Sequence, residues 1–247
     1  MQVLGIDIGG TGMKGAVVDT MRGELATERH RIPTPDPATP KAMINTVKDI
    51  VDHFEWEGPI GCGFPAAIKN DRVMTASNID DSWIGLKAAK KIKKKTGCKT
   101  HLVNDVDAAG LAEMHFGAGK GNNGTVLMIA AGTGIGSALF TEGELVPNTE
   151  LGHIPLHGDS AEKYAANSVR KELNLSIEEW AGRFNEYLAL VEFLFWPDLI
   201  ILGGGISKQS DLFLDLLDTK CKIVPAQMLN NAGIIGAAVG AERLGLD

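Results

Sequence analysis

Val3-Leu-Gly-Ile-Asp-Ile-Gly-Gly-Thr-Gly-Met-Lys-Gly-Ala-Val-Val-Asp19 reads as two apolar runs broken by a glycine turn. Val3 to Ile8 is apolar apart from Asp7, Gly9 to Gly12 interrupt it, and Gly15 to Asp19 resumes it, which predicts strand, turn, strand. Gly10-x-Gly12-x-x-Gly15 has the spacing of a dinucleotide fingerprint. That site needs a helix after the glycines, whose N-terminus holds the pyrophosphate, and here a strand follows. A Gly-Thr-Gly turn between two strands instead offers backbone N–H groups and a hydroxyl to an anion, with no Cβ in the way.

The tripeptide recurs. A shift of 122 residues lays Gly10-Thr11-Gly12 on Gly132-Thr133-Gly134 and Ala16 on Ala138. This predicts two similar hairpins, one per domain, facing a shared cleft; chance likeness between two glycine-rich turns is the alternative. In the same overlay Asp7 falls opposite Ile129 and Lys14 opposite Gly136, so the hairpin itself needs neither charge. A ligand explains them better. Gly9, Gly10, Thr11 and Gly12, with Gly132, Thr133 and Gly134, suit phosphate oxygens; Lys14 would neutralise their charge and Asp7 would hold Mg²⁺ through water. Plain tight turns are the simpler reading, weakened by the repetition.

The surrounding composition is that of a globular chain. Its 247 residues carry 24 Lys+Arg against 31 Asp+Glu, a net charge of −7, with 44% hydrophobic and 22% charged residues. Length alone suggests one or two domains. The acidic balance argues against a general binder of nucleic acid or of anionic membranes. Thirty glycines, about 12% of the chain, exceed the roughly 7% of average usage and ask for tight turns or close approaches. Cys62, Cys98 and Cys221 form no C-x-x-C pair, which excludes a zinc ribbon and a thioredoxin-like motif and suits a reduced cytoplasmic setting. There is no leader pattern and no apolar run of about 18 residues, so no membrane span is expected. GxxxxGK[ST], GxSxG and HExxH are all missing, against P-loop, serine-hydrolase and zincin readings.

The pattern then alternates. Thr39 caps a helix that opens on Pro40 and repeats apolar residues from Met43 to Phe54. A short strand is expected at Ile60–Gly63, an irregular stretch over 66–86, a basic helix over Lys87–Thr96 stopped by Gly97, a strand over Thr100–Val103 and a helix over Val106–Phe116. Strands follow at Thr125–Ala130 and Ile135–Thr141. After a second irregular stretch, Ser176 and Glu179 form a capping box on a long helix whose stripe is Ile177, Trp180, Phe184, Tyr187, Leu188, Val191 and Phe195. Leu199–Leu202 is a strand closed by Gly203-Gly204-Gly205, and Ala232–Leu244 a Gly/Ala-rich helix. The expected fold class is α/β in two lobes with a central cleft, residues 1–106 with 232–247 forming one and 107–231 the other.

Three polar groupings remain. Asn104-Asp105 sits where a strand meets a helix, as a helix cap or as a general base; Asp107 is the competing carboxylate. Glu150-Leu-Gly-His153 and Glu162 offer partners for sugar hydroxyls, or are simply polar loop residues. A metal on His153, His157 and Asp159 is disfavoured, since Pro155 and Gly158 argue against the helix that would put both imidazoles on one face. Lys87, Lys90, Lys91, Lys93, Lys94 and Lys95 crowd one helix, as a solvated face or as an anion track.

Taken together, Gly5-Ile-Asp-Ile-Gly-Gly-Thr-Gly-Met-Lys14, Asn104-Asp105, Ala131-Gly-Thr-Gly-Ile-Gly136, Glu150-Leu-Gly-His153 and Gly203-Gly-Gly-Ile-Ser207 resemble the ROK family (repressor, open reading frame, kinase) of sugar kinases. The resemblance implies an actin-like ATPase (ribonuclease H-like) fold. Ile32-Pro-Thr-Pro-Asp-Pro-Ala-Thr-Pro40, Ser82-Trp-Ile-Gly85, Pro147-Asn-Thr-Glu-Leu-Gly-His153 and Ala161-Glu-Lys163 look like the branch of that family that phosphorylates glucose from polyphosphate. By that likeness Asp105 takes the proton from the sugar 6-hydroxyl. Asn78, Asn104, Glu150, His153 and Glu162 hold the sugar hydroxyls, the two Gly-Thr-Gly turns hold the transferring phosphate, and Gly203, Gly204 and Gly205 lie by the nucleoside in ATP-using relatives. The implied reaction carries the terminal phosphate of polyphosphate or ATP to O6 of glucose with Mg²⁺. Many members carry a zinc loop with three cysteines after the Gly-His; this chain has no cysteine between Gly152 and Glu162, so no zinc is expected, which fits the polyphosphate branch. Family repressors begin with a DNA-binding helix-turn-helix, for which a phosphate motif starting at residue 5 leaves no room. The family is commonly dimeric, so a homodimer is expected. The rival expectations are an ATP-only kinase of glucose, mannose or an N-acetylhexosamine, and a sugar sensor without turnover, which would need neither Asp105 nor Lys14.

Overall fold

Two Gly-Thr-Gly hairpins each nucleate a sheet of their own. In the computed structural model, which describes residues 1–77 and 79–243, the chain divides into one unit of Met1–Ala112 with Asn230–Asp247 and a second of Glu113–Leu229. The first boundary lies beyond residue 106. The helix Asp105–Phe116 crosses that boundary: its first part, to Ala112, belongs to the first unit, where Ala108 packs on Gly63 and Gly236.

The first unit's sheet runs Glu24–Leu25, Met13–Asp19, Gln2–Ile8, Ile60–Phe64, Thr100–Asn104, with His30–Ile32 also paired to Met13–Asp19. Gln2–Ile8 and Met13–Asp19 are antiparallel, with Asp7 opposite Lys14. Ile60–Phe64 and Thr100–Asn104 continue parallel to Gln2–Ile8, so the Gly9–Gly12 turn and Asn104 emerge at the same sheet edge. The helix Pro40–His53 begins as its sequence predicts, Thr39 Oγ1 accepting from the N–H of Ala42 with Pro40 in the first turn. The basic helix spans Ala88–Thr96 and stops at Gly97 in the left-handed region, φ 84°. The C-terminal helix Ala232–Arg243 lies on Gln2–Ile8, Ile60–Phe64 and Thr100–Asn104. Its approach accounts for several of the glycines: a Cβ on Gly5 would stand 2.1 Å from the carbonyl oxygen of Ile234, and one on Gly61 1.9 Å from that of Ala237.

The second unit repeats this order with different residues: Glu144–Val146, Ile135–Thr141, Val126–Ala131, Leu199–Gly203, Lys222–Pro225. Val126–Ala131, Leu199–Gly203 and Lys222–Pro225 are parallel, and Ile135–Thr141 is antiparallel to the first of them. Each unit has its own core. In the second, Trp180, Phe184, Tyr187, Leu188 and Val191 of the helix Ile177–Phe195 are buried, Ile177 and Phe195 only partly because they sit at its two ends. The Ser176–Glu179 capping box closes in both directions.

The structure corrects the repeat by one residue. Four residues separate Ile8 from Met13 in the first hairpin, but three separate Ala131 from Ile135 in the second. Gly136 therefore faces Ala130, and Ala130, not Ile129, is the counterpart of Asp7. An Ala–Gly pair thus stands where the first hairpin has Asp7 and Lys14, so the hairpin does form without charge.

The two stretches read as irregular are ordered. Residues 66–86 hold the hairpin Ile68–Lys69 with Arg72–Val73, and a 3₁₀ turn at Asp81–Trp83 whose buried Trp83 indole donates to the Ala38 carbonyl at 3.0 Å. Residues 142–175 hold a 3₁₀ turn at Leu151–His153 and helices at Glu162–Ala165 and Asn167–Glu172. Elements of two to six residues are too short to show a periodicity. Asn78 lies outside the described residues. Among the described residues no helix is long and apolar enough to cross a membrane.

Candidate functional site

At the first turn Gly9 N–H donates to the Gly12 carbonyl at 3.2 Å, and Gly10 and Thr11 face solvent. Two residues that the sequence did not single out fasten it. Arg31 donates from Nη2 to the Thr11 carbonyl at 2.9 Å, and Thr34 Oγ1 donates to the Gly9 carbonyl at 2.5 Å. The guanidinium lies across Gly12, where a Cβ would stand 2.6 Å from it. Arg31 arrives by register alone, as His30–Ile32 pairs with Met13–Gly15 and sets Arg31 opposite Lys14. Lys14 Nζ is 3.2 Å from Asp7 Oδ2. The two charges assigned to a ligand also satisfy each other. Asp7 lies against Gly233, at the start of the C-terminal helix. A single carboxylate, 19% exposed, beside an anion turn fits Mg²⁺, which keeps most of its waters and takes one or two carboxylates plus phosphate oxygens.

Asn104 takes the capping role that the sequence left open for this pair. Asn104 is the last strand residue and caps the helix, its Oδ1 accepting from the N–H groups of Val106 at 2.9 Å and Asp107 at 3.1 Å. Its Nδ2 donates to the Ala66 carbonyl at 3.3 Å. Asp105 is the first residue of the helix, rather than the end of the strand, and is half-buried. Asp107 is 1% exposed, so of these two carboxylates only Asp105 reaches solvent.

In the second unit the expected sugar residues converge. Glu150 and His153 bracket the 3₁₀ turn, in which side chains three apart eclipse, and His153 Nε2 lies 3.9 Å from Glu150 Oε2. His153 Nδ1 lies 3.5 Å from Glu162 Oε1. Glu162 opens a short helix instead of lying in a loop, and its Oε2 accepts from the Ile135 N–H at 3.1 Å. That oxygen is 2.3 Å from where a Cβ on Gly134 would stand, so the Gly-Thr-Gly turn needs its glycine to admit the carboxylate. Gly152 serves likewise, its missing Cβ 2.0 Å from the Ile135 carbonyl oxygen. Ser137 Oγ donates to the Thr149 carbonyl at 2.6 Å and accepts from the Leu151 N–H at 3.0 Å, tying this loop to the strand. Ser168, also missed from sequence, donates to the carbonyls of Thr133 at 2.5 Å and Gly132 at 3.0 Å. Gly203 pairs beside Ala130, and Gly204 turns at φ 81°, which puts the Gly203–Gly205 turn next to Gly132–Gly134 on one edge.

Partial burial pushes the Glu150 carboxyl above its usual range; His153 opposes the shift and Glu162 adds to it. A raised carboxyl protonates first as pH falls, and a protonated Glu150 no longer offers two acceptor oxygens. With Glu150 as a sugar acceptor, as the family likeness implies, sugar KM is expected to rise on acidification at a higher pH than an ordinary glutamate would dictate, and Glu150→Gln should flatten that limb; KM against pH for both proteins checks this.

A profile described as ROK family matches residues 3–169. The chain belongs to the ROK family. This ROK protein is 44% identical over 238 residues to the polyphosphate glucokinase of Mycobacterium tuberculosis, covering 96% of this chain and 90% of that one. It superposes with TM-score 0.94 on the inorganic polyphosphate/ATP-glucomannokinase of Arthrobacter sp. strain KM, at 44% identity over 98% of this chain and 99% of that one. A ROK family glucokinase from Streptomyces griseus, solved with glucose and AMPPNP, shares the fold at 24% identity, with TM-score 0.85 over 98% and 100% of the two chains. The actin-like ATPase fold expected from the sequence is thus the fold of this ROK protein.

Proposed function

We propose that this chain is a polyphosphate glucokinase, transferring the terminal phosphate of inorganic polyphosphate, with ATP as a second donor, to the 6-hydroxyl of glucose. The observation that carries the reading is Glu162, one carboxylate that faces His153, itself beside Glu150, through one oxygen and accepts from the Ile135 N–H at the end of the Gly132–Gly134 turn through the other. Sugar acceptors and an anion cradle are thereby fixed within one hydrogen bond of each other. The identity to polyphosphate glucokinases over nearly the whole chain supports the choice of donor and sugar.

In this reading Asp105 accepts the proton of the 6-hydroxyl as O6 attacks the terminal phosphorus. The O6–P bond forms, the bridging P–O bond breaks, and a polyphosphate one unit shorter leaves. Glu150, His153 and Glu162 accept from and donate to sugar hydroxyls. Asn78 and Asn104 are assigned to the sugar by family likeness only, Asn104 also capping the helix that opens with Asp105. Backbone N–H groups at Gly9–Gly12 and Gly132–Gly134, with Thr11, Thr133 and Lys14, hold the transferring phosphate, and the Gly203–Gly205 turn takes the nucleoside when ATP is the donor. Asp7 would hold Mg²⁺, which would offset the donor's charge. The same reading places the enzyme in the cytoplasm as a homodimer, its Cys62 and Cys98 thiols buried and unpaired as a reducing compartment allows.

The test is glucose 6-phosphate formation by purified protein with Mg²⁺ and either polyphosphate or ATP. Turnover with polyphosphate is expected; turnover with ATP alone would overturn the donor assignment and leave an ATP-dependent glucokinase. The glucomannokinase among its relatives makes mannose the second sugar to assay.

A further inference from the structure

The helix Ala88–Thr96 carries more positive charge than the fold explains. Lys90, Lys91, Lys93, Lys94 and Lys95, with Lys87 just ahead of them, are all exposed. Lys87, Lys90, Lys91, Lys94 and Lys95 follow the i, i+3, i+4, i+7, i+8 spacing of a single helical face, which borders the buried Ala88 and Ile92 on one side. Among the described residues none of the six makes an ion pair, although Lys14, Lys48 and Lys163 each have one. Like charges three and four apart weaken a helix, and no acidic residue occupies its first turn, where Lys90 and Lys91 oppose the helix dipole; Lys93, Lys94 and Lys95 in the last turn complement it. A merely solvated face would be better served by alternating signs.

The direction of the stripe matters. The helix packs on Thr100–Asn104 and joins it through only three residues, Gly97 to Lys99, so it runs antiparallel to that strand. Thr100–Asn104 is parallel to Ile60–Phe64 and through it to Gln2–Ile8. Lys87 therefore starts at the sheet edge that carries Asp105 and the Gly9–Gly12 turn, and the lysines lead away from it for about 12 Å at ~1.5 Å per residue.

We propose that this lysine face binds the distal part of an extended inorganic polyphosphate chain whose reacting end is held at the first unit's phosphate turn. The inference rests on the polyphosphate reading above and extends it. A chain long enough to reach both places gains by a locally raised concentration of its end, whereas ATP or tripolyphosphate does not. The contact is electrostatic and surface-exposed, so salt should weaken it.

The test compares wild type with a protein carrying Lys90→Gln, Lys91→Gln, Lys94→Gln and Lys95→Gln, using long-chain polyphosphate, tripolyphosphate and ATP as donors. KM for the long chain is expected to rise about tenfold or more and to lose most of its salt dependence. KM for ATP, tripolyphosphate and glucose should stay at wild-type values, which also shows that the variant folds. An unchanged long-chain KM would overturn the proposal. Titration of long-chain polyphosphate into both proteins separates it from the donor assignment: lysine-dependent binding without turnover would sink that assignment but keep the surface, and wild type neither binding nor using polyphosphate would sink both.

Discussion

Asp105→Asn is expected to lower kcat by about 10²–10⁴-fold, the usual loss when a positioned general base is removed. The choice of Asn separates chemistry from folding. It keeps an oxygen for the Val106 N–H, which Asp105 Oδ1 now accepts at 3.0 Å, and leaves the Asn104 cap intact. Glucose KM and the melting temperature should therefore stay near wild type while turnover collapses with every donor. Asp107→Asn is the paired control. That carboxylate is 1% exposed in the same turn, so its replacement should act on stability and spare kcat. Full activity in Asp105→Asn, or a kcat collapse in the Asp107 variant alone, would move the base to another residue.

Gly61→Ala is expected to destabilise the fold by roughly 3 kcal/mol or more, the upper end of overpacking penalties. The added Cβ would meet the Ala237 carbonyl oxygen at 1.9 Å and the Ala238 nitrogen at 3.0 Å, both backbone atoms. Neither side can yield. Ile60–Phe64 is buried at every residue and paired on both edges, and the helix is held again where Gly5 meets Ile234 and Gly236 meets Ala108. At about 2–4 °C per kcal/mol for a chain of this size, the melting point should fall by about 6–12 °C or more. Gly182→Ala should do the opposite. Gly182 lies exposed within the helix Ile177–Phe195 with nothing within 4 Å of its would-be Cβ, so Ala should stabilise by about 0.4–1 kcal/mol. Thermal unfolding of the two variants reads both; a wild-type melting point for Gly61→Ala would contradict the seating of the C-terminal helix on this strand.

The candidate site was legible where its signals are local. The Gly9–Gly12 and Gly132–Gly134 turns and the Glu150–His153 motif could be quoted from the sequence because each is built from a few consecutive residues. Arg31 and Ser168 could not. Nothing near Arg31 marks it, and it reaches Thr11 only because one short strand adopts one register with another. Glu162 was singled out with Glu150 and His153 as a polar residue suited to sugar hydroxyls, but its bond to Ile135, 27 residues away, and its need for glycine at 134 belong to packing.

The sequence by itself determined the local elements: the Thr39–Pro40 and Ser176–Glu179 helix starts, the Gly97 stop and the apolar runs of both hairpins. Their signals are hydrogen bonds and φ preferences spanning four residues or fewer. Only the tertiary structure decided the one-residue difference between the two turns, the division of capping and solvent access between Asn104 and Asp105, and the direction in which the lysine face runs. Those depend on strand register and on which side chains neighbouring elements leave uncovered, and both are set by contacts between residues far apart in the chain.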